Sequence, residues 1–207
     1  MSRPAYWDEA CATLAGSDAT MAGIIDRCGG HLVSRGDAFQ TLARSIVGQQ
    51  ISVRAAQSVW ERFVVACGAE GPVPPRVSRM RQTTLRNCGL SQRKAEYLKD
   101  LAAHFRSGEV DPARWPLLDD DAIVDELCTV RGIGRWTAEM FLIFNLMRPD
   151  VYPVDDVGLL RGIASQYREG RPVSRAEAIE IGEAWRPWRT VATWYLWRVQ
   201  DPLPVEY

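Results

Sequence analysis

Apolar positions recur along the chain at the three- and four-residue spacing of amphipathic helices. After Asp37, the residues Phe39, Leu42, Ala43, Ile46 and Val47 share one face, and Gln40 three positions on gives a box-like cap. Ser52 precedes Val53, Ala56, Val59, Trp60 and Phe63, and Ser91 precedes Ala95, Leu98, Leu101, Ala102 and Phe105. Ser174 with Glu177 is a capping-box pattern before Ala178 and Ile181, while Gly29-Gly30 and Gly108 stand where helices should stop. Sustained alternation is lacking except for a few residues around His31–Ser34, and no internal repeat is visible. The pattern predicts an all-α chain of about ten helices. Gly71-Pro72-Val73-Pro74-Pro75 and Pro112 to Pro116 interrupt it, either as loops inside one body or as a hinge between two helical lobes.

Composition narrows the class. Of 207 residues, 46% are hydrophobic and 25% charged, which excludes disordered and collagenous chains. No apolar run approaches the roughly 18 residues of a membrane span, and Met1-Ser2-Arg3-Pro4 lacks the apolar stretch of a signal peptide. A protein without membrane association, working in the cytoplasm, is expected. Cys11, Cys28, Cys67, Cys88 and Cys128 include no C-x-x-C pair, so neither a disulfide framework nor a zinc or iron–sulfur nest is readable, and His31 and His104 stand alone.

The charge balance, 25 basic against 26 acidic residues, gives no gross electrostatic footprint for nucleic acid. It conceals a polarised chain, however. Arg76, Arg79, Arg81, Arg86, Arg93, Lys94 and Lys99 face only Glu96 in the same stretch, a local excess of six, so the remainder sums to −7.

The most informative window runs from Leu127 to Glu139. A helical segment after Asp119-Asp120-Asp121 ends at Gly132-Ile133-Gly134, and an apolar helix with Ala138, Phe141, Leu142 and Phe144 begins at once. Amides of Gly132, Gly134 and Thr137 at such a helix start form a ready site for one phosphate, without side-chain charge. A tight connection between helices that binds nothing has the same glycine pattern. About twenty residues on, Tyr152-Pro153-Val154-Asp155-Asp156 delivers two carboxylates to the start of another helix, where N-capping accounts for one of them.

Four segments, in order and spanning about residues 37 to 200, resemble the helix–hairpin–helix DNA glycosylase superfamily, and within it the bacterial 3-methyladenine DNA glycosylase II family. They are Ile46-Val47-Gly48-Gln49-Gln50-Ile51-Ser52, Cys88-Gly89-Leu90-Ser91-Gln92-Arg93-Lys94-Ala95, Gly132-Ile133-Gly134-Arg135-Trp136-Thr137-Ala138 and Trp185-Arg186-Pro187-Trp188-Arg189. The N-terminal β domain of longer members has no counterpart here. The resemblance implies one compact body over 1–207 in two lobes, with the active site in the cleft between them. Segments 1–36 and 149–207 would share one lobe, and 37–148 would carry the central helices and the hairpin.

By the family's pattern Asp156 is the catalytic carboxylate and Asp155 a cap or helper. Breaking an N-glycosidic bond builds oxocarbenium character on the sugar, which a nearby carboxylate stabilises. Relatives that also cut the strand carry a Schiff-base lysine where this chain has Trp136, so the resemblance implies a monofunctional enzyme that leaves an abasic site. Trp136 and Trp197 match positions lining the base pocket, where indole faces attract a cationic base by roughly 0.5–2 kcal/mol each. Met140 stands where many relatives have an aromatic residue. Trp7, Trp60, Trp115 and Trp185 are read as packing residues, with Trp194 and Tyr195 open to either role.

Gln50 falls at the family's plug position, which fills the hole left by a flipped base. Alternatively, Gln49 and Gln50 cap the junction of two helices. Hairpin carbonyls in the family can hold a structural Na+ or K+, here those of Cys128, Val130 and Gly132; no cofactor is required and no iron–sulfur cluster is expected. The implied partner is double-stranded DNA containing alkylated bases, and the implied state a monomer. Two other readings stand beside this one: a non-catalytic helix–hairpin–helix module binding damaged DNA, and a helical protein-interaction domain.

Overall fold

The computed structural model describes residues 3–34 and 36–200. Among them lie twelve α-helices: α1 Trp7–Ser17, α2 Ala19–Cys28, α3 Ala38–Gly48, α4 Val53–Cys67, α5 Pro74–Arg79, α6 Gln82–Asn87, α7 Gln92–Ser107, α8 Asp120–Cys128, α9 Arg135–Phe144, α10 Val157–Tyr167, α11 Arg175–Glu183 and α12 Arg189–Gln200. Short 3-10 turns occupy Gly68–Glu70 and Trp115–Leu117. The described residues contain no strand, and His31–Ser34 are irregular. None of the helices is long and apolar enough to cross a membrane.

Helix starts follow local chemistry. Asp37, Ser52, Ser91 and Asp119 each accept a first-turn amide N–H, from Gln40, Ala55, Lys94 and Ala122. Ser174 and Glu177 form a complete reciprocal capping box. Each such cap contributes about 0.5–2 kcal/mol.

The chain divides into two compact units, residues 36–141 and the described residues on either side. Both proline-rich stretches lie inside the 36–141 unit, where Pro74 and Pro75 open α5 and Pro116 sits in the second 3-10 turn, and the second crossing falls between Phe141 and Leu142, within α9. Residues 145–149 belong to the flanking unit and are stitched into it: Asn145, Met147, Arg148 and Pro149 offer carbonyls to Ser34, Tyr6 and, for the last two, Thr190.

In the 36–141 unit, Phe39, Leu42, Ile46, Phe63, Leu98 and Leu101 are buried, with Phe39 edge-on to Phe105 at 5.3 Å. Basic side chains close several helix ends, where carbonyls lack partners and the macrodipole is negative. Arg76 donates to Cys67 O at 2.9 Å and Ala66 O at 3.2 Å, Lys99 to Met80 O at 3.2 Å, and Arg62 to Cys88 O at 2.9 Å. Part of the basic excess of residues 76–99 therefore serves internal carbonyls.

The other unit is built on aromatic residues. Trp7 packs edge-on against Trp194 at 5.3 Å, and Trp185 contacts Tyr152 and Tyr167. Trp7, Trp60, Trp115 and Trp185 are buried as expected, and so are Trp194 and Tyr195.

Candidate functional site

The turn between α8 and α9 is closed by Val130 N–H to Leu127 O at 3.2 Å and Ile133 N–H to Val130 O at 3.1 Å. Val130 and Ile133 bury their side chains and anchor it. Gly132 has φ +88°, and a Cβ there would lie 2.2 Å from the Tyr97 ring, so a side chain is excluded both by backbone conformation and by space. Gly134 is exposed and a Cβ there would meet nothing within 4 Å. No internal contact demands glycine at 134, whereas close approach of another backbone would. The first α9 ladder bond is Ala138 N–H to Gly134 O at 3.0 Å, so the amides of residues 135–137 lie at the positive end of the helix dipole. The Thr137 side chain is buried.

Of the residues expected in a base pocket, Trp136 is 41% exposed, the one large exposed aromatic among the described residues, and Met140 one turn along α9 is buried.

The α3–α4 junction lies in the same unit. Gln50 is exposed, with φ +57°. Gln49 Nε2 donates to Gly132 O at 2.8 Å, so Gln49 ties the junction to the hairpin. Lys94 Nζ, from α7, donates to Val47 O at 2.8 Å and Gln49 O at 2.6 Å. Burial pushes the Lys94 ammonium pKa below the ordinary lysine value. Further along α7, Asp100 accepts the Arg131 N–H at 2.9 Å and its Nε–H at 3.0 Å. Lys94, Tyr97 and Asp100 thus form a support at three-residue spacing that sequence reasoning missed, because the partners are distant in the chain.

In the other unit, Asp156 is the N-cap of α10, its Oδ1 accepting the Leu159 N–H at 2.7 Å. The same oxygen accepts the Trp197 Nε1–H at 2.8 Å. Trp197 in turn stacks on Phe144, with centroids 5.7 Å apart and planes 14° apart. Gly158 fits closely beside them: a Cβ would lie 3.1 Å from Asp156 Oδ1 and 3.2 Å from the Trp197 ring, so a side chain there would press on both. Asp155 neither caps nor joins this group. It is exposed and pairs with Arg175 at 3.0 Å, because the residue immediately preceding the helix is the one whose side chain reaches the first-turn amides.

The segment leading to Asp156 is clamped by Trp185-Arg186-Pro187-Trp188-Arg189. Arg189 grips Asp150 with Nε to Oδ1 at 2.7 Å and Nη2 to Oδ2 at 2.9 Å, and Arg186 adds a bond of 2.8 Å. Thr190 Oγ1 donates to Arg148 O at 2.6 Å and accepts the Val151 N–H at 2.9 Å. The Tyr152 hydroxyl donates to Ala178 O at 2.6 Å, and the Arg189 guanidinium lies 5.6 Å from the Tyr152 ring centre. Bidentate pairing of this kind fixes direction as well as distance. The loop is therefore held along its length before it presents Asp156.

The structure thus groups Asp156 with Trp197 in one unit, and the Gln50 turn, the hairpin, Trp136 and Met140 in the other.

The family model of HhH-GPD superfamily base excision DNA repair proteins matches residues 43–187. The chain is 31% identical over 192 residues to DNA-3-methyladenine glycosylase 1 of Schizosaccharomyces pombe, covering 89% of this chain and 84% of that protein. Two Bacillus subtilis relatives are longer, and this chain covers 57% and 62% of their lengths. Among solved structures, a DNA-3-methyladenine glycosidase from Bacillus halodurans superposes with a TM-score of 0.89 at 34% identity, covering 97% of this chain and 93% of that one. The Schizosaccharomyces pombe 3-methyladenine DNA glycosylase in complex with abasic DNA superposes with a TM-score of 0.82 at 28% identity, covering 95% and 99%. The hairpin, the Gln50 turn and the Asp156 loop fall within the matched residues 43–187, and the chain belongs to the HhH-GPD superfamily of base excision DNA repair proteins.

Proposed function

We propose that this chain is a monofunctional DNA glycosylase, which flips an alkylated purine of the 3-methyladenine and 7-methylguanine class out of duplex DNA and hydrolyses its N-glycosidic bond. The observation that carries the reading is the Asp156 group: a carboxylate at a helix N-terminus, held through one oxygen by the Leu159 amide and the Trp197 indole. Fixed in this way, the negative charge needs no reorganisation when positive charge develops on the sugar. An alkylated purine already carries positive charge and departs without a strong general acid, so one carboxylate suffices. Trp136 offers no amine for a Schiff base, and the product is an abasic site in an unbroken strand.

The remaining residues handle the DNA. First-turn amides of α9 and those of Gly132 and Gly134 hold a phosphate without net side-chain charge. Gln50 fills the gap left by the flipped base, and the Trp136 and Trp197 ring faces select for a cationic base. Met140, unbranched and polarisable, packs along the pocket side of α9. The carbonyls of Cys128, Val130 and Gly132 would hold a monovalent cation. Val130 O already accepts the Ile133 N–H and Gly132 O the Gln49 Nε2–H, and a second lone pair on each suits a singly charged hard ion that stiffens the turn. The enzyme works as a monomer in the compartment that holds DNA, cytoplasmic and nucleoid-associated in a bacterium.

The test is to incubate methylated duplex DNA with the protein, separate released bases by chromatography, and examine the strand before and after alkali. Free methylpurine with strand breaks only after alkali is expected. No released base would overturn the reading, and breaks before alkali would overturn its monofunctional part.

A further inference from the structure

The left-handed conformation of Gln50 is uncommon for a residue with a side chain and persists only where the surroundings impose it. The surroundings that impose it are visible. The Lys94 ammonium bridges Val47 O, in the last turn of α3, and Gln49 O, the carbonyl of the peptide that enters Gln50. On the other side of that residue, the Gln49 amide group reaches the Gly132 carbonyl of the hairpin. The helix that supplies Lys94 also seats Gly132 on Tyr97 and binds the Arg131 amide through Asp100.

We propose that Lys94 is a positioning residue for the plug: with Gln49 it fixes the peptide before Gln50, so that the plug stands at a set offset from the phosphate-binding hairpin. The inference rests on the reading of Gln50 as the plug. Both of the Lys94 ammonium bonds go to backbone carbonyls, so it acts through the turn. Its two bonds to carbonyls replace part of the water lost on burial, and it is that burial which lowers its ammonium pKa. A neutral side chain of the same length would leave both carbonyls unserved and allow the turn to relax.

The probe is a duplex carrying a tetrahydrofuran abasic analogue opposite 2-aminopurine, which reports stacking by the plug and needs no excision. The full chain is compared with Gln50→Ala, Lys94→Met, Lys94→Arg and the double variant Gln50→Ala/Lys94→Met at saturating protein, with thermal unfolding as a control. Loss of bonds from a charged donor corresponds to a drop of about tenfold or more in the equilibrium constant of the ordered turn, and a clearly reduced fluorescence change is expected for Lys94→Met. Lys94→Arg should recover much of it, and adding Lys94→Met to Gln50→Ala should change nothing further. Should Lys94→Met fail to fold, Gln49→Ala, which cuts the other tie, carries the same expectation.

A full wild-type response from folded Lys94→Met or Gln49→Ala would overturn the proposal. So would an equal Lys94→Met effect with and without Gln50, which would mark a merely structural lysine. If Gln50→Ala itself responds like the wild type, the plug assignment falls and this inference with it. Base release from methylated DNA judges the glycosylase reading separately.

Discussion

Replacing Trp197 by Phe removes one N–H and keeps an aromatic ring against Phe144. In the wild type that N–H lies 2.8 Å from Asp156 Oδ1, a good length for a bond to a carboxylate. A hydrogen bond to a charged group contributes about 1.5–3 kcal/mol, and each 1.36 kcal/mol is tenfold in rate. The Leu159 amide still grips the same oxygen at 2.7 Å, so the carboxylate stays anchored and the loss should fall near the lower end. The expected result is a slowing of about tenfold in single-turnover base release at saturating enzyme.

Two controls separate this from weaker stacking. A neutral base such as hypoxanthine lacks the cation–π term, so a lost bond to Asp156 slows its release as much as that of 7-methylguanine, whereas weaker stacking spares it. In an Asp156→Asn background the Trp197→Phe change should add little, since both act through one carboxylate. A rate within twofold of wild type, or a loss confined to the cationic base, would refute the argument that the indole N–H orients Asp156.

Other outcomes follow from the same geometry. Gly132→Ala should destabilise the protein by about 2–4 kcal/mol in denaturant unfolding, from the left-handed backbone and the Tyr97 clash together. Gly134→Ala should leave stability within about 0.5 kcal/mol yet weaken binding to abasic-analogue DNA; normal binding would remove the phosphate role of that position. Asp18 is pushed up by burial, but its bonds from the Met21 amide, the Tyr167 hydroxyl and the Trp185 indole outweigh this and leave its pKa below the ordinary value. Its contribution is therefore fully present above the unfolded carboxyl pKa and is lost as pH falls through the lower folded value. Melting temperatures of wild type and Asp18→Asn should differ at pH 7 and converge below about pH 4; a gap that widens in acid would reverse the sign.

Much of the fold was legible because its signals are local. Asp37, Ser52, Ser91 and Ser174 start helices through bonds to residues three positions away, which a linear reading can see. α5 and α6, six residues each, are too short to show a period and escaped the count. The crossing between units lies inside α9, where the apolar run continues without a break.

The hairpin was legible because its signal is local: Gly132 has the positive φ and the close neighbour that a Gly-x-Gly turn between helices signals. The site was not legible where partners are far apart in sequence. The choice between Asp155 and Asp156 as cap depended on where α10 begins, and the second duty of Trp197 on a contact across 41 residues. The basic residues of 76–99 showed only a polarised chain, and Arg76, Lys94 and Lys99 close helix ends and turns, a use that a charge count cannot reveal.

The central claim is that the Asp156 charge breaks the glycosidic bond. Asp156→Asn keeps an oxygen to cap α10, since Asn caps as well as Asp, and should fold and bind abasic-analogue DNA like the wild type. The decisive measurement is release of methylpurine from methylated duplex DNA by the two proteins under single-turnover conditions. Release by wild type and a rate at least about a hundredfold lower for Asp156→Asn is predicted, and equal release by both would contradict the account.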